Sequence, residues 1–534
     1  MMHLPVVMVA LPLLTAIGCL LWGARAVRPR QSLVTERAVS QASLLVLVVI
    51  SIRLIVETAA GHVFVYRLAN WPTPYSIALV VDRLSATMVA LTAVLALFVQ
   101  VAAAGDEDGR GRFFHPLLHL QVMGLCGAFM TGDLFNLFVF FEILLIASYA
   151  LLMFGGGAVR TRAALHYVVL NLVGSALFLV AIGMLYGTLG TLNMADMAVR
   201  AAQVGPTDRP LMRAAAGLLL LVFGLKAAIV PMNLWLPPTY HAASTPVSAL
   251  FAIMTKVGVY GIIRVFIPIF GPDQGEVTGI ADPWILGLGL ATLVVGTLGA
   301  LAATELKQLV TFLIVNSVGT QLTAVGQFTE QGLAASVYYI IHSTFLTAGL
   351  FLVSGAVCHQ RGEIGGRLSS GPAMHEGRAL GYLFLVAAMS AVGLPPLSGF
   401  VSKALILSAT PPALQGAVWP VVLATSFLLL VQLSRVGSVL FWNLAGDVPP
   451  PGSKPGPHAS RGPALGLLSA SVLLAVFGGP VDTFCRDTAA AVYDREAMIQ
   501  RVLGDDAPTP KTRDDMPVPP HGYVRRPQPE VPVP

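Results

Sequence analysis

Long apolar segments recur along almost the whole chain, and they constrain its fold more than any other feature. Fourteen can be read in the sequence, near residues 3–23, 38–56, 77–103, 113–130, 132–153, 164–186, 212–230, 244–269, 284–304, 308–327, 334–357, 379–409, 416–442 and 463–480. A helix of about 20 apolar residues crosses the hydrocarbon core of a bilayer with its backbone groups paired internally. We therefore predict an all-α polytopic membrane protein with about 14 transmembrane helices.

Composition and charge exclude several other classes of protein. Hydrophobic residues make up 55% and charged residues 11% of the 534 residues, whereas soluble domains carry about 25% charge. The net charge of +5 comes mostly from arginines in predicted loops and the tail, without a basic stripe interleaved with aromatics, so nucleic-acid binding is not expected. The first apolar segment is too long for a removable signal peptide and lacks a small-residue cleavage site, so we expect it to be retained.

The cysteines and short motifs point to no cofactor. Cys19, Cys126, Cys358 and Cys485 are scattered, without CxxC or Cys/His spacing, which argues against zinc, an iron–sulfur cluster or a disulfide framework. Nucleotide-binding and hydrolase motifs are also missing from the sequence. We expect neither a metal nor another cofactor.

The distribution of lysine and arginine predicts the orientation. Loops after odd-numbered segments hold fourteen of these residues, and loops after even-numbered segments hold four. Positive residues concentrate on the cytoplasmic side of membrane proteins. The odd loops are therefore predicted to be cytoplasmic and both termini non-cytoplasmic. The membrane is expected to be a bacterial inner membrane.

Two of the predicted helices contain proline near membrane depth. Pro231 follows Lys226 in the seventh segment, and Pro395 and Pro396 precede Lys403 in the twelfth. Broken helices in corresponding places suggest a transporter built from repeats, although an isolated kink is the alternative for either break. Because the breaks lie five segments apart, and five is odd, the two units would be inverted.

The resulting division of the chain has five parts. They are predicted as helices 1–3 (1–104), a first inverted repeat of helices 4–8 (113–269), a second of helices 9–13 (284–442), the last helix with a possible surface helix (463–504), and a disordered proline-rich tail (505–534). The segment 485–504 fits either an amphipathic surface helix or a short soluble helix.

Charged side chains inside the apolar segments are the main functional signal. They are Glu142, Lys226, Lys256, Lys403 and Arg435. Each costs at least about 2.5–3.5 kcal/mol at a helix centre, so a set of them needs a physical reason. Proton handling is one reason, with Glu142 and Lys226 as a pair; an ion pair that merely bridges two helices is the structural alternative.

For several other polar residues a structural role is the alternative to a functional one. His241 and His342 could relay protons, because imidazole titrates near neutral pH, or be satisfied core histidines. Asp133 could mark a pathway entrance or cap a helix. Asp82 is interpreted as structural, at a helix N-terminus, and Arg264 as a snorkelling anchor at a helix end.

The segments around these charges resemble a known family. They are GDLFNLFVFFEILLIASYALL with Glu142, FGLKAAIVPMNLWLPPTYHAASTPVSALF with Lys226, IMTKVGVYGIIR with Lys256, and PPLSGFVSKALIL with Lys403. Together they are similar to the antiporter-like subunits shared by Mrp cation/proton antiporters and respiratory complex I, over predicted helices 3–13. The resemblance implies fourteen helices with inverted five-helix repeats and broken helices 7 and 12.

The resemblance also implies functional roles. Glu142 would be the acid paired with Lys226, Lys256 the central relay, and Lys403 the terminal lysine of a second half-channel, with His342 as the eleventh-helix histidine. Glu142 and its neighbours look most similar to the D subunits of Mrp antiporters. That implies a proton-translocating subunit of a multisubunit Na⁺ or other monovalent cation/proton antiporter, with further membrane subunits as partners.

Two residues depart from the family pattern. Ser317 stands where many complex I relatives have a histidine, and Thr347 where several have a lysine. A full polar relay through the second half would then need water to bridge it. The alternatives are a proton-pumping membrane subunit of complex I or of a membrane-bound hydrogenase, a lipid-processing enzyme, and a non-conducting scaffold.

Overall fold

The structure is a computed structural model in which residues 3–25, 29–104, 107–271, 278–444, 446 and 458–504 are described. Helices dominate this part of the chain, and its only sheet is a two-stranded hairpin. The predicted all-α polytopic membrane fold is therefore confirmed. The tail predicted to be disordered, residues 505–534, lies outside the described residues.

The elements are named in chain order. The helices are α1 (Leu4–Arg25), α2 (Pro29–Ala59), α3 (Arg83–Ala103), α4 (Phe114–Met130), α5 (Leu134–Met153), α6 (Ala158–Leu189), α7 (Met194–Ala201), α8 (Arg209–Ala227), α9 (Leu236–Ala242), α10 (Thr245–Phe251), α11 (Met254–Phe266), α12 (Asp282–Ala302), α13 (Leu306–Val325), α14 (Glu330–Gln360), α15 (Gly377–Val392), α16 (Ser398–Ala409), α17 (Pro412–Gly437), α18 (His458–Val476), α19 (Gly478–Tyr493) and α20 (Arg495–Leu503). The strands are β1 (Phe64–Arg67) and β2 (Ala78–Val81).

Most of the long helices are apolar enough to span a bilayer. In the described residues eleven helices meet the length and composition needed, or twelve if one bent pair counts as a span. The apolar helices α4, α15 and α16 are shorter. Every predicted segment contains a helix or a pair of helices, but the number of fourteen spans and the inverted repeats stay predictions.

The seventh and twelfth segments are interrupted, as the prolines indicated. Helix α8 ends at Ala227, and the chain resumes through a 3₁₀ turn (Met232–Trp235) into α9. Helix α15 ends at Val392, and α16 begins at Ser398. Proline cannot donate a backbone hydrogen bond, and its ring disfavours a continuing helix.

Two other interruptions were not predicted. The eighth segment is divided into α10 and α11 at Ala252 and Ile253. The last segment, predicted as one helix over 463–480, instead bends by 87° between α18 and α19. Gly478 and Gly479 lie at this bend, and Pro480 follows in the first turn of α19, where a missing N–H is tolerated.

The third segment also begins differently from the prediction. Its first residues form strand β2, which pairs antiparallel with β1 through Phe64 opposite Val81 and Arg67 opposite Ala78. Helix α3 starts only after Asp82, whose side chain accepts a hydrogen bond from the Ser85 backbone N–H. This N-cap separates the hairpin from the helix.

The described ends of the chain meet at one end of the bundle, here called the hairpin side. The ring of His3 lies 5.7 Å from that of Tyr66 in β1, and Thr73 donates a hydrogen bond of 3.0 Å to the carbonyl of Val502 in α20. The other end, called the far side, carries the α9–α10 turn, where Lys307 of α13 donates to the carbonyl of Ala243.

Candidate proton pathway

Helix α5 carries the acid that the sequence analysis singled out, and it begins with another. Asp133 accepts a hydrogen bond of 2.8 Å from the Asn136 backbone N–H and thus caps the helix. Burial raises the pKa of this carboxyl. Glu142 follows nine residues later, about 13 Å along the axis. The structure assigns Asp133 a capping contact, and its role as a pathway entrance stays a prediction.

A serine hydroxyl connects Glu142 with Lys226. Ser175 of α6 donates to the Glu142 carboxylate and accepts a long hydrogen bond of 3.4 Å from the Lys226 ammonium. Glu142 and Lys226 are therefore neighbours, but they do not form the direct ion pair that the sequence suggested. The bridge depends on α6, which the sequence analysis did not consider.

The Lys226 ammonium is held by two helices. It donates a second hydrogen bond of 3.4 Å to the Asn171 side chain, one turn before Ser175 on α6, and lies 5.8 Å from the centre of the Phe141 ring. Only 5% of the residue is exposed. The amide, the hydroxyl and the ring face offset part of the cost of burying the charge.

The break after Lys226 leaves backbone groups that side chains satisfy. The Trp235 indole donates to the carbonyl of Leu225 at 2.9 Å, and Thr292 of α12 accepts from the Val230 N–H at 3.1 Å. Inside a membrane such groups must find partners in the protein. The interruption is thus held in place next to Lys226.

Lys256 of α11 is completely buried. Its ammonium donates to the hydroxyl of Ser317 on α13 at 3.2 Å, which is its only hydrogen bond among the described residues. An ammonium has three donors. Water is the group that could complete the remaining hydrogen bonds of the lysine.

The two lysines Lys226 and Lys256 lie on helices whose backbones touch. A Cβ atom built on Gly258 of α11 would come within 2.4 Å of the Ala227 nitrogen and 2.7 Å of the Phe223 oxygen in α8. No hydrogen bond joins the two ammonium groups within the described residues. The two lysines are thus related by backbone packing of their helices and not by a polar contact.

Polar side chains continue from Lys256 towards the eleventh predicted segment. Ser317 is followed one turn later on α13 by Gln321, whose amide donates to Ser343 of α14 at 3.0 Å. Ser343 adjoins His342 in sequence. Ser317, at the position that departs from the family pattern, therefore contacts Lys256 directly and begins this polar series.

His342 belongs to a cluster of hydroxyl groups drawn from four helices. Its Nδ1 is hydrogen-bonded to Ser398 of α16 at 2.8 Å. Ser398 is in turn hydrogen-bonded to Ser471 of α18 at 2.9 Å, and Ser471 to Ser390 of α15. Both nitrogens of imidazole can exchange protons, so the cluster can pass protons between α14 and the twelfth segment.

Lys403 of α16 binds back to the end of α15, across the break in the twelfth segment. Its ammonium donates to the carbonyls of Ala391 at 3.2 Å and Val392 at 2.6 Å, at the C-terminal end of α15, and to Ser426 of α17 at 2.8 Å. Carbonyls at a helix C-terminus carry partial negative charge and favour a cation. All three donors of the amine are used.

The second histidine candidate lies elsewhere. His241, at the end of α9, is paired with Glu305 at 2.9 Å, and their side chains are 38% and 40% exposed. His241 lines a far-side cavity of about 380 Å³ together with Lys307 and Glu107. It does not contact the buried lysines, so its predicted relay role, which stays a prediction, would be at an entrance.

Arg264 is not the snorkelling anchor that the sequence suggested. Its guanidinium forms two hydrogen bonds to the Asp82 carboxylate, donates to Ser85 at 2.8 Å and is only 12% exposed. Burial by itself raises the pKa of Asp82, but the Arg264 charge and the Ser85 hydrogen bonds lower it below its usual value. The pair ties α11 to the start of α3.

The positions of Arg435 and Thr347 in the structure answer two further questions that the sequence raised. Arg435, considered as an intramembrane charge, lies exposed in the last turn of α17 and lines a cleft with Arg367 and Glu305. Thr347 donates its hydroxyl to the backbone carbonyl of Ser343, one turn back on its own helix. Neither residue extends the buried polar series.

The side chains that connect the charges were not among the residues predicted from the sequence. On α6, buried Tyr167, Asn171 and Ser175 recur every four residues, a polar stripe that the helical period could have revealed. The hydroxyls of Ser390 and Ser471 come from distant segments, and nothing in the sequence joins them. Within the described residues, no group of three or more His, Cys, Asp or Glu side chains could hold a metal ion.

The comparison with protein families gives one match over more than half of the chain. Residues 131–429 match the family model described as NADH:quinone oxidoreductase/Mrp antiporter, TM. The matched range begins just before the Asp133 cap and includes Glu142, Lys226, Lys256 and Lys403.

Individual relatives extend the similarity to most of the chain. A protein of Rhizobium meliloti (strain 1021), named as the D subunit of a probable K(+)/H(+) antiporter, is 35% identical over 87% of this chain and 92% of its own length. The D subunit of the Na(+)/H(+) antiporter of Bacillus subtilis (strain 168) is 34% identical over 89% and 95%. A chain of the Mrp complex from Dietzia sp. DQ12-45-1b superposes with a TM-score of 0.83 at 28% identity, covering 94% of this chain and 99% of that one.

Proposed function

Because this chain belongs to the NADH:quinone oxidoreductase/Mrp antiporter family, we propose that it is the proton-translocating subunit of a multisubunit monovalent cation/proton antiporter. The names of its relatives support exchange, but one names K⁺ and the other Na⁺. The Na⁺ exchange expected from the sequence is therefore one arm of the test. The activity is transport rather than catalysis of a chemical reaction.

The contact that carries the proposal is the Ser175 bridge between Glu142 and Lys226. Two hydrogen bonds in series span at most about 6 Å. At that separation and an effective dielectric of about 20, opposite unit charges attract by about 3 kcal/mol. Moving Glu142 away would remove this attraction and so help Lys226 to release its proton.

The second half of the pathway would receive the proton in steps. Lys256 would pass it along the polar series to the His342 cluster, with Lys403 as the terminal amine. Water bridges the gaps between side chains that do not touch. The distribution of lysine and arginine assigns the far side to the cytoplasm, and the cavity at His241 would give access from there.

Partner subunits complete the site in this proposal. Glu142 is half-buried, and Ile146, one turn further on α5, is 65% exposed. A carboxylate facing lipid is costly, so a neighbouring membrane subunit is expected to cover this flank. The Mrp complex that contains the similar chain supports such an assembly.

The test uses the complete complex with substitutions made at the chromosomal locus. In inverted membrane vesicles, Glu142→Gln and Lys226→Ala should each reduce proton movement driven by added Na⁺, K⁺ or Li⁺ by at least about tenfold, the scale of losing a proton-transfer group. The rates are divided by the amount of assembled complex on native gels.

A matched control removes a carboxylate of the same type from the surface. Glu363→Gln, in an exposed turn, should leave exchange unchanged. Undiminished exchange in both site variants would overturn the assigned roles. Co-purification with flavin or iron–sulfur subunits would instead favour a redox-driven pump of the complex I type.

A further inference from the structure

One face of α11 connects the buried lysine to the hairpin side of the bundle. Lys256, Tyr260 and Arg264 follow each other at intervals of four residues. Residues four apart lie one above the other on a helix, about 6 Å between neighbours. The stripe therefore extends about 12 Å from Lys256 towards Arg264.

Tyr260 is the centre of a hydroxyl network in this stripe. Its hydroxyl donates to the carbonyl of Phe129 in α4 at 2.6 Å, accepts from the Nε of Arg264 at 2.9 Å and is hydrogen-bonded to Ser85 of α3 at 3.1 Å. The Arg264 guanidinium in turn holds Asp82. Three helices thus meet at one phenol.

A cavity reaches this network from the hairpin side. Its lining includes Tyr260, Arg264, Ser85 and Asp82, and its volume of about 140 Å³ is room for roughly five waters. The exposed His62 also lines it, so the cavity opens at the surface. Water can therefore approach the network around Tyr260, a residue that lies one helical turn from Lys256 along α11.

We propose that the Lys256–Tyr260–Arg264 face of α11 is a proton access route from the hairpin side to Lys256, with the Asp82–Arg264 pair as its gate. This proposal rests on the proposed function, and it adds a second entrance to the proposed proton pathway. None of the residues beyond Lys256 belongs to the charge set identified from the sequence.

The proton transfer needs no further reagent. Once Arg264 has turned away, the Tyr260 oxygen can accept a proton that leaves the Lys256 ammonium and crosses through water. The phenol proton, which otherwise bonds the Phe129 carbonyl, rotates towards Ser85 and is released to it. Ser85 likewise takes up this proton and releases its own to water in the cavity. Lys256 ends as a neutral amine, and each hydroxyl is restored.

The ion pair explains why such a route would not leak. With Asp82 bound, the guanidinium lies against both hydroxyls and places a fixed positive charge on the path, which repels an incoming proton. Cations other than protons meet the same barrier. Opening requires Arg264 to turn towards the cavity, away from Tyr260.

The route can be tested in vesicles that contain the whole complex. Tyr260→Phe keeps the ring but removes the hydroxyl, and should reduce cation-driven proton movement per assembled complex by at least about tenfold. Ser85→Ala, which keeps the Asp82 cap through its backbone N–H, should reduce it in the same way if Tyr260→Phe assembles poorly.

The matched control is another buried tyrosine that bonds a helix carbonyl. Tyr338 donates to Leu474 at 2.7 Å, and Tyr338→Phe should leave the rate per complex unchanged. If Tyr260→Phe and Ser85→Ala stay within about twofold of the wild type, the hydroxyls are only structural and the route is wrong. A different result would contradict the proposed function, namely undiminished exchange in both Glu142→Gln and Lys226→Ala. The two proposals can therefore fail independently.

The cavity itself is tested with an introduced cysteine. In a background without the four native cysteines, Val80→Cys places a thiol in the cavity wall. A charged, impermeant thiol reagent, applied to intact cells before inverted vesicles are prepared from them, should then inhibit exchange. Tyr75→Cys, 74% exposed and outside the cavity lining, should react without inhibition. Full labelling of Val80→Cys with unchanged exchange would overturn access through this cavity.

Discussion

At the scale of single residues, hydroxyl groups decide which buried charges are connected. Ser175 separates Glu142 from Lys226, and Ser317 is the contact of Lys256. A serine is small and can both donate and accept, so it can adjust when a neighbouring charge changes.

Ser175→Ala should reduce exchange without preventing assembly. Without the hydroxyl, Glu142 loses a hydrogen bond and Lys226 keeps only Asn171, so we expect a fall of about tenfold, corresponding to about 1.4 kcal/mol. The measurement is cation-driven proton movement in inverted vesicles.

The control for this variant is Ser354→Ala. Ser354 is fully buried and donates only to Phe351 on its own helix. Its loss should leave exchange within about twofold of the wild type, because no charge depends on it. Equal losses in both serine variants would contradict a specific role for Ser175.

Asp82→Asn should lower thermal stability by an amount that hardly depends on pH from about 5 to 9. The pKa of this carboxyl is below its usual value, so its stabilisation is complete above the unfolded pKa of about 3.9 and is lost as the pH falls through the lower folded value. The measurement is the melting temperature of the purified complex at several pH values. A gap between variant and wild type that closes near pH 6 would contradict this prediction.

At the scale of elements, interruptions place the lysines. Lys226 precedes the break that Trp235 stabilises, and Lys403 binds the carbonyls at the end of α15. Prolines in the sequence revealed these two breaks. The division of α10 from α11 has no proline at Ala252 and Ile253, which is why the sequence did not reveal it.

Gly258→Ala should destabilise the contact between α11 and α8. The added methyl would meet the Ala227 nitrogen at 2.4 Å and the Phe223 oxygen at 2.7 Å, and backbone cannot move aside as a flexible side chain can. Overpacking of this kind typically costs about 1–3 kcal/mol. We expect a lower temperature for loss of soluble protein on heating in detergent.

Gly217→Ala is the matched control on α8. A Cβ atom there has nothing within 4 Å, and alanine favours a helix more than glycine does. Its heat stability should be unchanged or slightly higher. A similar loss in both glycine variants would argue against close packing at Gly258.

At the scale of the whole molecule, the orientation in the membrane decides which compartment each cavity serves. The hairpin side carries both described ends of the chain. The distribution of lysine and arginine predicts that this side is non-cytoplasmic.

Labelling of intact cells should test the orientation. In a background without the native cysteines, Tyr75→Cys on the hairpin side should react with an impermeant maleimide, since it is 74% exposed. Ser370→Cys, in an exposed far-side loop, should react only after the membrane is permeabilised. The reverse pattern would invert the predicted topology and exchange the two cavities between compartments.

The amino-acid sequence by itself determined the membrane class, the order of the helices and the identities of the buried charges. Apolar length and the cost of charge in lipid are local properties of a segment, so Glu142 and the lysines stand out without any knowledge of contacts. The proline breaks are local for the same reason.

Only the tertiary structure decided how these charges are connected. Ser175 between Glu142 and Lys226, the serines around His342, and Arg264 against Asp82 bring together residues from separate helices. A hydrogen bond depends on distances of a few tenths of an ångström. Such distances arise from helix packing, which the order of residues does not display.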